Sequence, residues 1–298
     1  MNKVTKTTLT MIMLGFVVLS GFASAANFSF VVNADMREYT PPKYPSSDHY
    51  LGCCEAIAEL GKGAFMISVG DVDPPQRVYE TNRKVFGYNY PWYPVVGNHE
   101  SETKEDMKWL REYLSKPVNG LVRKGPKNCT ETTYSFDYEN VHFVVLNEYY
   151  NGKSDTGTNG DVVDELYEWL KTDLEENRKS MIFVIGHEPL VSLPDADNGR
   201  HRHKGDNLDE HSQNSHRFQQ LLRKHKVIAY ICGHTHCFSY ATINGINQID
   251  VGHCRGNGDK RTPSTFVKIK VKGKDCTAEV YRNDSKGGKY TLKHTLKL

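Results

Sequence analysis

Five short polar blocks carry the residues that could do chemistry: Asn33-Ala34-Asp35-Met36-Arg37, Gly70-Asp71-Val72-Asp73, Gly97-Asn98-His99-Glu100, Gly186-His187-Glu188-Pro189 and Gly233-His234-Thr235-His236. Alone, each is weak, since a Gly-Asp pair is commonly a turn and a lone histidine a structural hydrogen bonder. Together they offer three histidines (His187, His234, His236), two carboxylates (Asp35, Asp71) and the amide oxygen of Asn98. That mixed nitrogen and oxygen set suits zinc, manganese or iron and not calcium or copper(I). Phosphoester hydrolysis asks for such a set, because two cations about 4 Å apart polarise the phosphoryl oxygens and turn a water between them into hydroxide. A carboxylate must then lie between the ions, and Asp71 is the candidate. Glycine before the ligand in four blocks lets backbone approach the ions without a side-chain clash. His234 and His236, two apart, would point to one side of an extended segment.

These blocks need a scaffold that brings them together. Strand-length apolar runs cover 28–32, 64–69, 92–96, 141–146, 181–185 and 227–232, and a block follows five of the six. Several are rich in Val, Ile and Phe, as strands buried on both faces should be. Helical stripes lie between them: Met107, Leu110 and Leu114; Val163, Leu166, Leu170 and Leu174; Phe218, Leu221 and Leu222. From Cys237 onward strands dominate, with Val267, Ile269 and Val271 alternating against Lys268, Lys270 and Lys272. Two packed sheets with helices outside fit this order, with ligands at the C-terminal strand edge. The stretch 195–216, polar and holding His201, His203, His211 and His216, reads as a long surface loop near the mouth of the site, with metal binding by its histidines as the alternative.

The ordered blocks resemble the calcineurin-like metallophosphoesterase superfamily, whose pattern is Asp-x-His, Gly-Asp, Gly-Asn-His-(Asp/Glu), Gly-His and Gly-His-x-His. The resemblance spans nearly all of 27–298 and is most specific at Gly97-Asn98-His99-Glu100 and Gly233-His234-Thr235-His236. It implies an α/β fold, a four-layer α/β/β/α sandwich of two mixed β-sheets flanked by helices. It further implies two divalent or trivalent ions (Mn, Fe or Zn), the first on Asp35, Asp71 and His236, the second on Asp71, Asn98, His187 and His234. His99 would protonate the leaving oxygen, and Asn98 would also face substrate.

One position departs from the pattern: Arg37 stands where the family has histidine, and a protonated guanidinium cannot donate a lone pair to a metal. Three readings follow. Water or a neighbour completes the first site, or that site is weak, or Arg37 clamps a phosphate oxygen bidentately; the expectation is the clamp with a water-completed first site. Asp73 and Glu188 are candidates to orient ligating histidines, and His253 could line the cleft. Tyr149 and Tyr150 could stack on a base. The expected activity is metal-dependent hydrolysis of phosphomonoesters or phosphodiesters on a small phosphorylated substrate. The alternative is a non-catalytic protein that binds metal or a phosphorylated ligand on a degenerate scaffold.

Residues 1–25 have a cationic start, an apolar stretch over 11–19 and Ala23-Ser24-Ala25, the pattern of a cleaved signal peptide. The domain would then occupy 26–298, periplasmic or secreted, or membrane-anchored if the leader is retained. That portion carries 36 basic and 36 acidic residues, because Lys3 and Lys6 are the only charges ahead of it. A neutral chain argues against a nucleic-acid polymer as partner, and no later segment is apolar for long enough to span a bilayer. Seven cysteines, odd in number and without a CxxC pair, leave at least one thiol free or intermolecular and disfavour a thiolate zinc site. Cys53 and Cys54, adjacent in a helical pattern, should not bridge each other.

Overall fold

The computed structural model describes residues 27–37, 47–116, 121–259, 261–284 and 288–298. The expected leader lies outside them. No described helix is long and apolar enough to cross a membrane.

Among the described residues, thirteen strands form two mixed sheets. The first sheet centres on β1 (Asn27–Asn33), which pairs in parallel with β2 (Met66–Ser68), itself parallel to β3 (Trp92–Pro94). On its other side β1 pairs antiparallel with β11 (Thr265–Lys272), followed outward by β12 (Asp275–Arg282) and β13 (Thr291–Lys297). The second sheet runs β4 (Leu121–Lys124), β5 (Tyr134–Tyr138), β6 (Val141–Val145), β7 (Met181–Ile185), β8 (Ala229–Cys232), β10 (Ile246–Val251) and β9 (Phe238–Ile243). From β6 through β7 and β8 to β10 the pairing is parallel.

Alternation along single strands builds the layers. On β6 and β7, Val141, Phe143, Val145, Met181, Phe183 and Ile185 join the core between the sheets. Their neighbours Val144, Ile182 and Val184 join a second cluster with Leu166, Leu170 and Leu174 of α5 (Asp164–Glu176) and Phe218 and Leu222 of α6 (Ser212–Lys224). A period of two puts successive side chains on opposite faces, so each apolar run feeds two cores. Aromatic rings close the gap between sheets, with Phe30 edge-on to Phe143 at 5.1 Å and Tyr93 stacked on Phe136 at 3.7 Å. Ile57 of α1 (Tyr50–Leu60) and Val78 and Phe86 of α2 (Pro75–Phe86) belong to the cluster of the first sheet. The result is the expected four-layer α/β/β/α sandwich.

The six expected strands and three helical stripes all appear, the second as α5, the third as α6 and the first as α4 (Lys104–Leu114). On β11, Val267, Ile269 and Val271 are buried while Lys270 and Lys272 are exposed. The expectation of a long surface loop over 195–216 needs correction at its two ends. Asp195 is buried, Leu208–His211 is a 3-10 turn and His216 lies in α6. The loop is rooted by Arg282 of β12, fully buried, whose Nη2 lies 2.6 Å from Asp195 Oδ2. Cys53 on α1 bridges to Cys254, 201 residues away, and the five other cysteines are buried free thiols, so the adjacent pair does not bridge itself.

Two stability predictions follow from buried charges. Arg282→Ala strands Asp195 inside the protein and is expected to cost about 3–5 kcal/mol, with Arg282→Met together with Asp195→Leu costing far less, in denaturant melts. His142 of β6 holds Asp137 at 2.7 Å and Asp173 of α5 at 2.8 Å. Burial alone would lower its pKa, but these two carboxylate hydrogen bonds outweigh burial and raise it. A raised histidine contributes its full stability below the unfolded value of about 6.5 and loses it as pH rises through the folded value. The cost of His142→Gln in thermal melts should therefore shrink from pH 6 to pH 9; a constant cost would mean that charge plays no part.

Candidate metal centre

Each block sits where its strand ends. Asp35 follows β1, Asp71 follows β2, Asn98 and His99 follow β3, His187 follows β7, and His234 and His236 follow β8. Parallel β1–β2–β3 and β7–β8 bring all five ends to one edge of the sandwich. Asp35, Asp71 and His187 offer ligand atoms within 4.8 Å of one another, all three side chains buried. His99 Nε2 lies 3.5 Å from Asp71 Oδ2, His187 Nε2 3.4 Å from Asp71 Oδ1, and His236 Nε2 3.6 Å from Asp35 Oδ1. The His187 and His234 rings are 5.1 Å apart.

The backbone is strained where the ligands are. Asp35, Asp71, His234 and His236 all have positive φ, at 52°, 52°, 71° and 59°. A left-handed non-glycine residue costs on the order of 1–3 kcal/mol and persists only where surrounding contacts enforce it. Those contacts are visible. Asp35 N–H donates to Gly70 O, His234 N–H to Asp35 Oδ2, and Thr235 Oγ1 to Asp250 Oδ2 at 2.5 Å. The His-x-His segment is thus a turn and not the extended segment expected from spacing. Glycine is needed where the blocks touch: a Cβ on Gly70 would meet His187 Nδ1 at 2.2 Å, and one on Gly97 would meet Asp71 Oδ1 at 2.4 Å.

Whether these residues suit a metal can be judged from their unspent donors. His187 Nδ1–H donates to Val69 O at 2.7 Å, which fixes the tautomer and leaves Nε2 as a lone pair. Burial pushes its pKa down to about 4, so the ring is neutral and ready to ligate. His234 Nε2 lies 2.9 Å from Asp206 Oδ2, whose carboxylate outweighs burial and raises the ring's pKa to about 9, so His234 must release a proton to ligate. His187 Nε2, Asn98 Oδ1 and Asp35 Oδ1, by contrast, are buried without a hydrogen bond. Buried unsatisfied lone pairs of this kind are rare unless something else binds them. The residues of the second site therefore fit a cation. Those of the first fit less well, because Arg255 Nη2 lies 3.2 Å from His236 Nε2 and Arg202 Nη1 contacts His236 Nδ1.

Several supporting residues are not those expected. Asp73 holds Arg37 Nε at 3.2 Å and Glu188 accepts from Tyr149 Oη at 2.9 Å, so neither orients a ligating histidine. Glu100 lies in a short helix, Asn98–Ser101, and accepts the N–H of Asp71 and Gly97. Glu102, one turn beyond His99, is the carboxylate at its Nδ1, 3.5 Å away. Glu148 accepts the N–H of His187 and Glu188; its place directly after β6 is the same positional signal that marks the ligands. His253 is buried, donates through Nε2 to Thr262 O and does not line the cleft. Tyr149 and Tyr150 are buried and present no stacking face. His203 and Asp206 come to His234 from the long loop, and these three form a second group able to hold a cation. Only tertiary contact brings them there.

The two-sheet fold thus carries a candidate metal centre at this edge. A calcineurin-like phosphoesterase model matches residues 44–238, and the chain belongs to that family. It is 26% identical over 286 residues to tartrate-resistant acid phosphatase type 5 of Rattus norvegicus, covering 90% of this chain and 81% of the relative. The Homo sapiens protein of the same name is 24% identical over 285 residues, with the same shares covered. Among solved structures, PhoD superposes with a TM-score of 0.59 at 10% identity over 93% of this chain and 72% of that one. GAP50, the anchor in the inner membrane complex of Plasmodium, gives 0.56 at 15% identity over 91% and 88%. These two likenesses show the fold.

Burial pushes the Asp35 carboxyl well up, and the neighbouring Asp71 and Asp250 carboxylates push it further. An acid raised on folding is destabilising above its unfolded value of about 3.9. In metal-free protein at pH 7, Asp35→Asn should therefore stabilise the fold by on the order of 1–3 kcal/mol, since Oδ1 is buried without a partner. Thermal melts in chelator read this, and a lower Tm for the variant would show that Asp35 carries no uncompensated charge.

Proposed function

We propose that this chain is an exported metal-dependent phosphoester hydrolase acting on phosphomonoesters. The observation that carries the reading is the convergence of Asp71, His187, His234 and Asn98, with His187 Nε2 and Asn98 Oδ1 buried without a hydrogen bond, beside a half-buried His99. A cation held there would lower the pKa of a bound water and polarise the phosphoryl group. The preference for monoesters rests on the relatives named acid phosphatases, which match across 90% of this chain. Export rests on the leader at 1–25 and is supported by the Cys53–Cys254 bridge, which favours an oxidising compartment.

The residues of the chain divide the remaining work. Burial raises the Asp71 carboxyl, but His187, His99 and His234 together lower it, so Asp71 stays ionised, faces His99 and would hold a cation beside it. His99 gives its proton to the departing alkoxide, with Glu102 behind Nδ1 holding the ring. Arg37 stays close to Asp71 through its own N–H on Asp71 O and would meet a phosphate oxygen only by sharing its guanidinium with Asp73. A non-catalytic binder on the same scaffold is the second reading, and the observation in its favour is the pair of arginines against His236.

His99→Ala is expected to slow hydrolysis of alkyl phosphates about 10²–10⁴-fold while slowing p-nitrophenyl phosphate far less, because nitrophenolate leaves without a proton. Burial lowers the pKa of His99 more than Asp71 and Glu102 raise it, so wild-type turnover of alkyl phosphates should fall as pH rises toward neutral, below the ordinary histidine value of about 6.5. Equal losses on both esters would remove His99 as the acid. Folded, metal-loaded protein with no turnover of any phosphoester would favour the binder.

A further inference from the structure

We propose that the Arg255 guanidinium takes the place of the first metal ion, so that the chain holds one ion at the second site and a fixed organic cation at the first. This deepens the hydrolase reading and rests on it. Three independent features point to the substitution. First, Arg37, at the position expected to complete the first site, has no lone pair to give and is engaged by Asp73.

Second, Arg255 is aimed into that site and locked there. Cys254 beside it is tied to Cys53 through sulfur and to Ala34 O through its N–H. Arg255 N–H donates to His253 Nδ1, and Arg255 Nε donates to Asp35 O at 2.8 Å, leaving the side chain only 7% exposed. Its Nη2 then reaches His236 Nε2 at 3.2 Å, the nitrogen that also faces Asp35 Oδ1 at 3.6 Å.

Third, both ring nitrogens of His236 already face guanidinium donors: Arg202 Nη1 contacts Nδ1, with Asp259 Oδ2 3.6 Å away on the same side, and Arg255 Nη2 faces Nε2. An ion bound to Nε2 would sit about 2.0–2.2 Å from it, in the space that Nη2 enters, so guanidinium and ion exclude each other. The exchange is chemically reasonable, because a guanidinium stays charged at any working pH and offers paired N–H donors to phosphate oxygens. It also leaves Asp71, Asn98, His187 and His234 as a complete mixed donor set for one ion.

Metal content of the full chain separates the possibilities. Protein loaded with excess Mn(II), desalted and read by inductively coupled plasma mass spectrometry should retain one ion per chain. His236→Ala should keep that ion with affinity within about threefold of wild type by titration calorimetry, whereas His187→Ala should lose it by a factor of at least about 10–100. Arg255→Ala, freeing Nε2, should take up a second ion at least tenfold more tightly than wild type does. Two ions of similar affinity in wild type, loss of the retained ion in His236→Ala, or unchanged second-ion affinity in a folded Arg255→Ala would each overturn the substitution while leaving the hydrolase reading intact. If Arg255→Ala does not fold, the wild-type count and His236→Ala decide alone. No ion retained by wild type would overturn both.

Discussion

Two carboxylates, Asp35 and Asp71, are buried within a few ångströms of each other where two sheets meet, and the surrounding structure is organised by the need to compensate that charge. Neither has solvent to stabilise it, and burial raises the pKa of Asp35 accordingly. The compensating groups converge from every neighbouring strand end. His187, His234 and His99 approach Asp71, Arg255 approaches Asp35, and backbone N–H groups of His99 and His234 reach Asp71 and Asp35 respectively. A cation is the natural remaining partner for the lone pairs still unspent.

The strain at four ligand positions and the close approach of glycines are two sides of that arrangement. Drawing five strand ends into contact leaves no room for Cβ atoms at Gly70 or Gly97 and forces Asp35, Asp71, His234 and His236 into left-handed turns. The stabilisation that holds those turns comes from elsewhere: the aromatic layer between the sheets, the buried Arg282–Asp195 pair and the Cys53–Cys254 bridge. The last two also root the segments that carry Arg202, His203 and Asp206 on one side and Arg255 on the other. The scaffold thereby supplies both the ligands and the arginines that contact His236.

Much of the scaffold was legible because doubly buried strands read as unbroken apolar runs and surface helices as stripes. β4, β5 and α2 were not, since Tyr134–Tyr138 mixes serine and aspartate with its aromatics and Pro75–Phe86 buries only four of its residues along a strongly polar helix. In the site, the candidate ligands are read from their position after strands, and Glu148 obeys the same rule. Glu102 could have been found only by knowing that Asn98–Ser101 is helical, which puts residues three apart on one face.

The residue types and their order determined the family, the sandwich and the candidate ligands, because lone-pair chemistry and strand periodicity are local properties of the chain. The tertiary structure decided how those ligands are supported and contested. His203 and Asp206 reach His234 across a loop, and Arg255 reaches His236 through a disulfide-anchored turn. Side chains that meet only after the sheets have packed leave no periodic trace in sequence, since their proximity depends on the whole path of the chain between them.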